Sequence, residues 1–239
     1  MKKTTPKYKV KLYDLGVCGF KEAWDFQIDV FDEIISWKKS VEGDVSQEKK
    51  QPPGALIFVE HLHVYTLGKN GAENNMLLNA TQMKAAGASF YRIDRGGDIT
   101  YHGPGQIVCY PIFNIDALNI GLKEYIYKLE ETVIGVVEKY GLKASRLKGG
   151  TGVWLDSDVE KKARKICAIG VKASRFVTMH GLAFNVNTNL EYFNFINPCG
   201  FTDKGVTSLE NELGKRQDLD EAKKNVVEKL KEVFNLEIF

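Results

Sequence analysis

The chain holds cysteines at positions 18, 109, 167 and 199, and the last stands where a thiol can react. Asn197-Pro198-Cys199-Gly200 reads as a turn, from which a side chain can reach into a pocket. The reactive species is the thiolate. A free thiol with a pKa of about 8.5 is mostly protonated at neutral pH, so a neighbouring ammonium or base must supply what is missing. Lys165 heads the run KICAIG. On a strand its neighbour Ile166 faces the other way, and Cys167 shares the face of Lys165, which would bring Cys167 near any site built there. As an ordinary exposed lysine Lys165 would do nothing. Turned into a cleft, it would lose solvation and exchange protons near neutrality. Cys18, Cys109 and Cys167 lie in apolar runs that suit structural thiols.

A second group of residues is the string RGGDITYHGPGQ, from Arg95 to Gln106. Paired glycines allow sharp turns and expose backbone N–H groups that bind anions or oxyanions. Arg95 could hold a phosphate and His102 could orient a reacting group. A glycine-rich hairpin with a satisfied histidine accounts for the same residues. His61 and His63, two apart in EHLH, would share a strand face and with His102 and His180 could form a mononuclear metal site, though no spacing makes the ligands converge. A Cys199 hydrolase using His102 or His180 as base is the stronger rival.

Around these residues the composition is that of an ordinary globular chain. Of 239 residues, 44% are hydrophobic and 27% charged, enough to bury a core without disulfides. A net charge of +2 argues for neither nucleic acid nor an anionic membrane as partner. No apolar run approaches the roughly 20 residues that span a bilayer, and no apolar stretch follows the basic start MKKTTPKYKVKLYDLG. A cytoplasmic chain with reduced thiols is the expectation.

The elements that must position the site follow from periodicity. A strand is expected at Tyr8–Leu15. A helix follows over Phe20–Val41, with Phe20, Ala23, Trp24, Ile28, Phe31, Ile34 and Ile35 on one face. VEGDVSQEKKQPP, residues 41–53, reads as a polar surface loop. ALIFVEHLHVYTLG reads as a buried strand with its continuation, and SFYRIDR and IVCYPIFNI as further strands. Helices are expected at Ala80–Ala86, Leu122–Tyr140 and Leu219–Phe234, the last capped by Asp218 or Asp220. Between Lys143 and Asn187 lie the strand runs ASRL, GVWL, KICAIGVKAS and FVTMHGLAFNV. This mixture lacks regular βαβ alternation and indicates an α+β fold with a mixed sheet and flanking helices, taken as one domain over residues 1–239.

RGGDITYHGPGQ, KICAIG, HGLAFNVN and NPCG, in that order, resemble the lipoyl(octanoyl) transferases, and VEHLHVYTLGKNG fits as well. The resemblance runs from about Leu56 to Ser208. It implies the single-domain fold of biotin and lipoate protein ligases. It also implies transfer of an octanoyl or lipoyl group from acyl carrier protein to a lysine of lipoyl domains, those of 2-oxoacid dehydrogenases or of the glycine cleavage H protein. Cys199 would carry the acyl group as a thioester, with Lys165 as its partner and with no ATP, metal or other cofactor. Substrate contacts would come from Arg95, Gly96, Gly97, Asp98, Ile99, Thr100, Tyr101 and His102, from Ala168, Ile169 and Gly170, and from Gly181, Leu182 and Ala183. The backbone N–H groups of Gly96, Gly97 and Gly170 are the expected oxyanion donors. An ATP-dependent ligase is the rival within the fold. Two departures stand out: the 41–53 loop is longer than the family needs, and Cys167 occupies a position where a small residue is usual.

Overall fold

Each apolar run of the sequence finds its own layer. The computed structural model describes residues 7–42, 51–159, 161–197 and 204–239; Cys199 and most of the 41–53 loop lie outside them. The strands are β1 (Tyr8–Cys18), β2 (Gly54–His61), β3 (Val64–Leu67), β4 (Ser89–Arg92), β5 (Ile99–His102) and β6 (Gln106–Ile112), then β7 (Ala144–Leu147), β8 (Gly150–Leu155), β9 (Arg164–Ser174), β10 (Val177–Asn185), β11 (Gly205–Val206) and β12 (Leu236–Ile238). The helices are α1 (Phe20–Val41), α2 (Ala80–Ala85), α3 (Leu122–Lys139), α4 (Leu209–Leu213) and α5 (Leu219–Phe234).

Nine strands form one mixed sheet in the order β12-β1-β2-β6-β10-β9-β8-β7, with β11 beside β9; β4-β3-β5 form a second. β1 and β2 are parallel, as the α1 crossover between them requires. The α1 stripe, with Ala23, Phe31, Ile34 and Ile35, covers Ile57, Val108, Tyr110 and Ala183 of the large sheet. The other face is buried by α3 and α5 through Tyr125, Leu129, Val133, Val226, Leu230 and Phe234. All nine residues of β10 are buried, because layers cover it on both faces. The architecture is therefore α+β, with helices flanking a mixed sheet. Among the described residues no helix is long and apolar enough to cross a membrane.

Three local features depart from the periodic reading. Within α1, Ile28 is exposed and Gln27 is buried instead, its Oε1 accepting the His180 N–H at 3.2 Å. ALIFVEHLHVYTLG divides between the two sheets at a bend over Leu62 and His63. That bend separates the two histidines. His61 turns toward Tyr110, whereas His63 stacks on Tyr192 at 4.1 Å and hydrogen-bonds the Tyr101 hydroxyl. Finally, β9 shifts register against β8 between Val153↔Cys167 and Trp154↔Lys165. The extra residue resets the alternation, so Ile166 and Cys167 both enter the core under α3 while Lys165 faces away. Cys167 consequently does not share the face of Lys165.

Asp218 is the cap of α5, its Oδ1 accepting from the N–H groups of Asp220 and Glu221 at 2.8 and 3.0 Å. Asp218→Ala is expected to cost about 1 kcal/mol, read as a lower urea midpoint at constant slope; an unmoved midpoint would deny the cap any role.

Candidate active site

Small residues create the hollow between the two sheets. Ala168 faces Ala183 and Gly170 faces Gly181 across β9 and β10. All four line a cavity of about 580 Å3, within the range of small-ligand pockets. Val108, Tyr110, Gln106 and Asn185 continue its large-sheet wall. Ile93, residues 95–100 and His102 form the wall from the second sheet, and Leu122 and Ile126 of α3 stand on a third side. Gly170 must lack a side chain: a Cβ there would come within 2.7 Å of Arg95 Nη1 and 2.8 Å of the Gly96 carbonyl.

Arg95 organises the wall opposite. Its Nη1 donates to the Gly96 carbonyl at 2.8 Å, and its Nη2 to the carbonyls of Asp98 and Thr66 at 2.7 and 3.2 Å. The guanidinium thus binds its own loop to β3, where the sequence also allowed it to bind phosphate. Asp98 accepts from the Ile99 N–H and from Asn75 Nδ2, each at 2.7 Å. Gly97, at φ 95°, takes the left-handed backbone the turn needs. The Gly96 N–H donates to the Val171 carbonyl at 3.0 Å, so this expected oxyanion donor is already engaged. Thr100 and His102 line the cavity. Tyr101 points the other way, into the core beneath the 190–195 turn with Tyr65 and Phe193.

Of the remaining expected site residues, Lys165, Ile169 and Leu182 also line the cavity. Lys165 Nζ lies 4.6 Å from the centroid of the Trp154 ring, a favourable place for an ammonium. Beside it runs the chain returning from Cys199. Lys204, Gly205 and Val206 line the cavity, Val206 pairs with Lys165, and the Thr207 N–H donates to the Lys165 carbonyl at 2.9 Å. Arg164 fixes this return by donating to both carboxylate oxygens of Glu212 at 2.6 Å. On the near side of the same segment, the Asn197 N–H donates to the Asn75 carbonyl at 2.9 Å. Trp154, Lys204, Phe20 and Leu122 were missed in the sequence because each belongs to an unremarkable run. Gln106 and Asn185 carried a readable signal, as polar residues in apolar strands. They are buried and hydrogen-bond each other at 2.9 Å.

The histidines are held neutral. Burial pushes His61 down to about 4; its Nδ1–H donates weakly to the Cys18 carbonyl and its Nε2 accepts from Tyr110 at 2.7 Å. Burial, aided by the nearness of His61, pushes His102 down to about 3, and its Nδ1–H donates to Gln106 Oε1 at 2.8 Å. His180 is also lowered by burial. It holds a left-handed φ of 62°, a strained conformation retained by its surroundings. Here the restraints are Gln27 on its backbone and Asp94, which accepts from its Nε2 at 3.2 Å. The His180 hydrogen bond, with Lys172 on the other oxygen at 2.6 Å, holds the Asp94 carboxyl well below the usual carboxylate range. Among the described residues no group of three or more His, Cys, Asp or Glu side chains is arranged to hold a metal ion.

The family model described as the lipoyl protein ligase A/B catalytic domain matches residues 40–231. An octanoyltransferase of Bacteroides fragilis is 56% identical over 213 residues, covering 89% of this chain and 92% of the relative. One from Cytophaga hutchinsonii is 45% identical over 238 residues, covering 100% and 97%. Among solved structures, the bipartite lipoate protein ligase of Thermoplasma acidophilum superposes with a TM-score of 0.68, covering 97% of this chain and 86% of that one. At 15% identity it speaks for the fold alone.

Two outcomes follow from the site geometry. Gly170→Ala should destabilise the protein by about 1–3 kcal/mol through overpacking against the Arg95 loop, read as a lower urea midpoint; a variant of wild-type stability would show that the loop yields freely. The histidines give a pH dependence with a definite sign. Between about pH 6.5 and 4 the unfolded chain binds protons that native His61 and His102 refuse. Stability is therefore full above that window and falls as pH drops, by roughly 1.4 kcal/mol per unit per histidine. Urea midpoints from pH 7 to 4.5 should decline, less steeply in His61→Gln; a flat profile would contradict the burial argument.

Proposed function

The chain belongs to the lipoyl protein ligase A/B catalytic family and is an acyltransferase of its octanoyltransferase group, and from that premise we propose that it passes an octanoyl group from acyl carrier protein to a lysine of a lipoyl domain through a thioester on Cys199. The observation that carries this reading is the seat of Lys165. Its ammonium faces the cavity beside Trp154, and the return strand of the Cys199 segment is hydrogen-bonded to its own backbone. A thiolate delivered from that segment meets a cation at the mouth of an enclosed hollow, the setting that activates cysteine nucleophiles.

The chemistry proceeds in two exchanges. Cys199 thiolate attacks the carrier thioester carbonyl, the C–S bond to the carrier breaks, and Lys165 supplies the proton taken by the departing carrier thiolate. The acceptor lysine, as the free amine, then attacks the Cys199 thioester. The new amide forms as the Cys199 C–S bond breaks, and Lys165 takes up the proton released from the amine, restoring the starting pair. The acyl chain lies over Ala168, Gly170, Gly181 and Ala183, where only hydrogens and methyl groups line the floor. Asp98 and Arg95 hold the covering loop in place. In this reading residues 1–239 act as one catalytic domain whose acceptors are the lipoyl domains of 2-oxoacid dehydrogenases or of the glycine cleavage H protein.

Intact-mass spectrometry of the protein incubated with octanoyl-carrier protein, in the absence of ATP, tests the proposal. Wild type should gain one octanoyl group that a lipoyl domain discharges. Cys199→Ala should gain none, and Lys165→Met should load at least about a hundredfold more slowly, within the usual size of general acid–base contributions. Unloaded wild type, together with lipoyl-domain modification that requires ATP and free octanoate, would replace this reading with that of a ligase.

A further inference from the structure

The cavity ends differently on its two inner sides. On one, His180 leads to Asp94, whose carboxylate is 38% exposed and paired with Lys172 at 2.6 Å. A hydrocarbon end placed there would meet a hydrated ion pair. On the other, Phe20 in the first turn of α1 is only 4% exposed yet lines the cavity together with Ile93. Its ring is closed in by Tyr91 at 5.2 Å and His61 at 5.4 Å, and it lies parallel to His102 at 6.5 Å. Val64 and Ile93 complete the cluster.

The distance to this second end is set by strand spacing. Lys165 is on β9. Three sheet steps, through β10 and β6, reach β2, whose last residue His61 touches Phe20. At about 4.8 Å per step that is about 14 Å. An extended chain gains roughly 1.2 Å per bond, so eight carbons span about 9 Å and twelve about 13 Å. A thioester linkage plus eight carbons fits the span, and a twelve-carbon chain runs into the ring.

We propose that Phe20 is the stop against which the methyl end of the acyl chain rests, and so the residue that sets acyl chain length. The inference rests on acyl transfer taking place in this cavity. Phe20 sits outside every motif around the reacting groups, on a helix separated by 145 residues of chain from Lys165. Removing its ring opens space toward Tyr91 and Trp24, which pack on the same cluster.

The test compares kcat/KM for octanoyl-, decanoyl- and dodecanoyl-carrier protein in wild type, Phe20→Leu and Phe20→Ala. Phe20→Ala should raise the dodecanoyl-to-octanoyl ratio at least about tenfold, the worth of two further buried methylenes, and Phe20→Leu should raise it by less. Phe20→Leu keeps the helix face apolar, so it carries the test if the alanine variant loses its cooperative thermal transition. A wild-type ratio in a folded variant that still transfers octanoyl groups overturns the role of Phe20 and leaves the transfer reading standing. Wild type that loads no acyl chain of any length overturns both.

Discussion

The hinge of this structure is one guanidinium placed where two sheets meet. Arg95 donates to carbonyls of its own loop and to the Thr66 carbonyl of β3, and its side chain rests where Gly170 of the large sheet has no Cβ. Hydrogen bonds from a charged donor are about twice as strong as neutral ones, and several converge here in a partly buried place. The glycines of the loop, the glycine of β9 and the arginine are thus a single constraint. Together they hold the second sheet at a fixed height above β9 and β10, which is what makes a cavity of that space.

Around this joint the interior is more polar than an acyl pocket requires. His61, His102, Gln106, Asn185 and Tyr110 are all buried, and they hydrogen-bond among themselves. Satisfied in this way, a buried polar network adds rigidity; left incomplete it would carry a desolvation cost. Because burial keeps the imidazoles uncharged, the far wall is compatible with hydrocarbon. The charged side chains near the cavity are engaged: Arg95 and Asp98 in hydrogen bonds of the covering wall, Asp94 with Lys172, and Lys165 over the Trp154 ring.

The described residues that flank Cys199 are fixed in different parts of the fold. Asn197 is bonded to Asn75, near Asp98 of the covering wall, while Gly205 and Val206 are added as a short strand to β9. The ion pairs of Arg164 with Glu212 and Asp156 tie the start of β9 to α4 and to the turn after β8.

The sequence by itself determined much of this protein. The ranges of α1, α3 and α5 follow from apolar spacing, because 3.6-residue periodicity over four or more turns has no competing explanation. RGGDITYHGPGQ stood out through its residue types, and its residues 95–100 with His102 line the cavity; Gln106 and Asn185 carried a readable signal as polar intrusions in apolar strands. Other features exist only once the chain is folded. The register shift that turns Cys167 away from Lys165 depends on how β8 pairs with β9, and the bend that parts His61 from His63 depends on β3 joining a different sheet. Gln27 enters the core because a backbone N–H 153 residues away needs an acceptor, and Phe20 reaches the cavity because β2 lies beside β6. Periodicity reports which way a residue points within its own element; which elements come together, and so what each residue touches, is decided by long-range pairing that a local pattern does not encode.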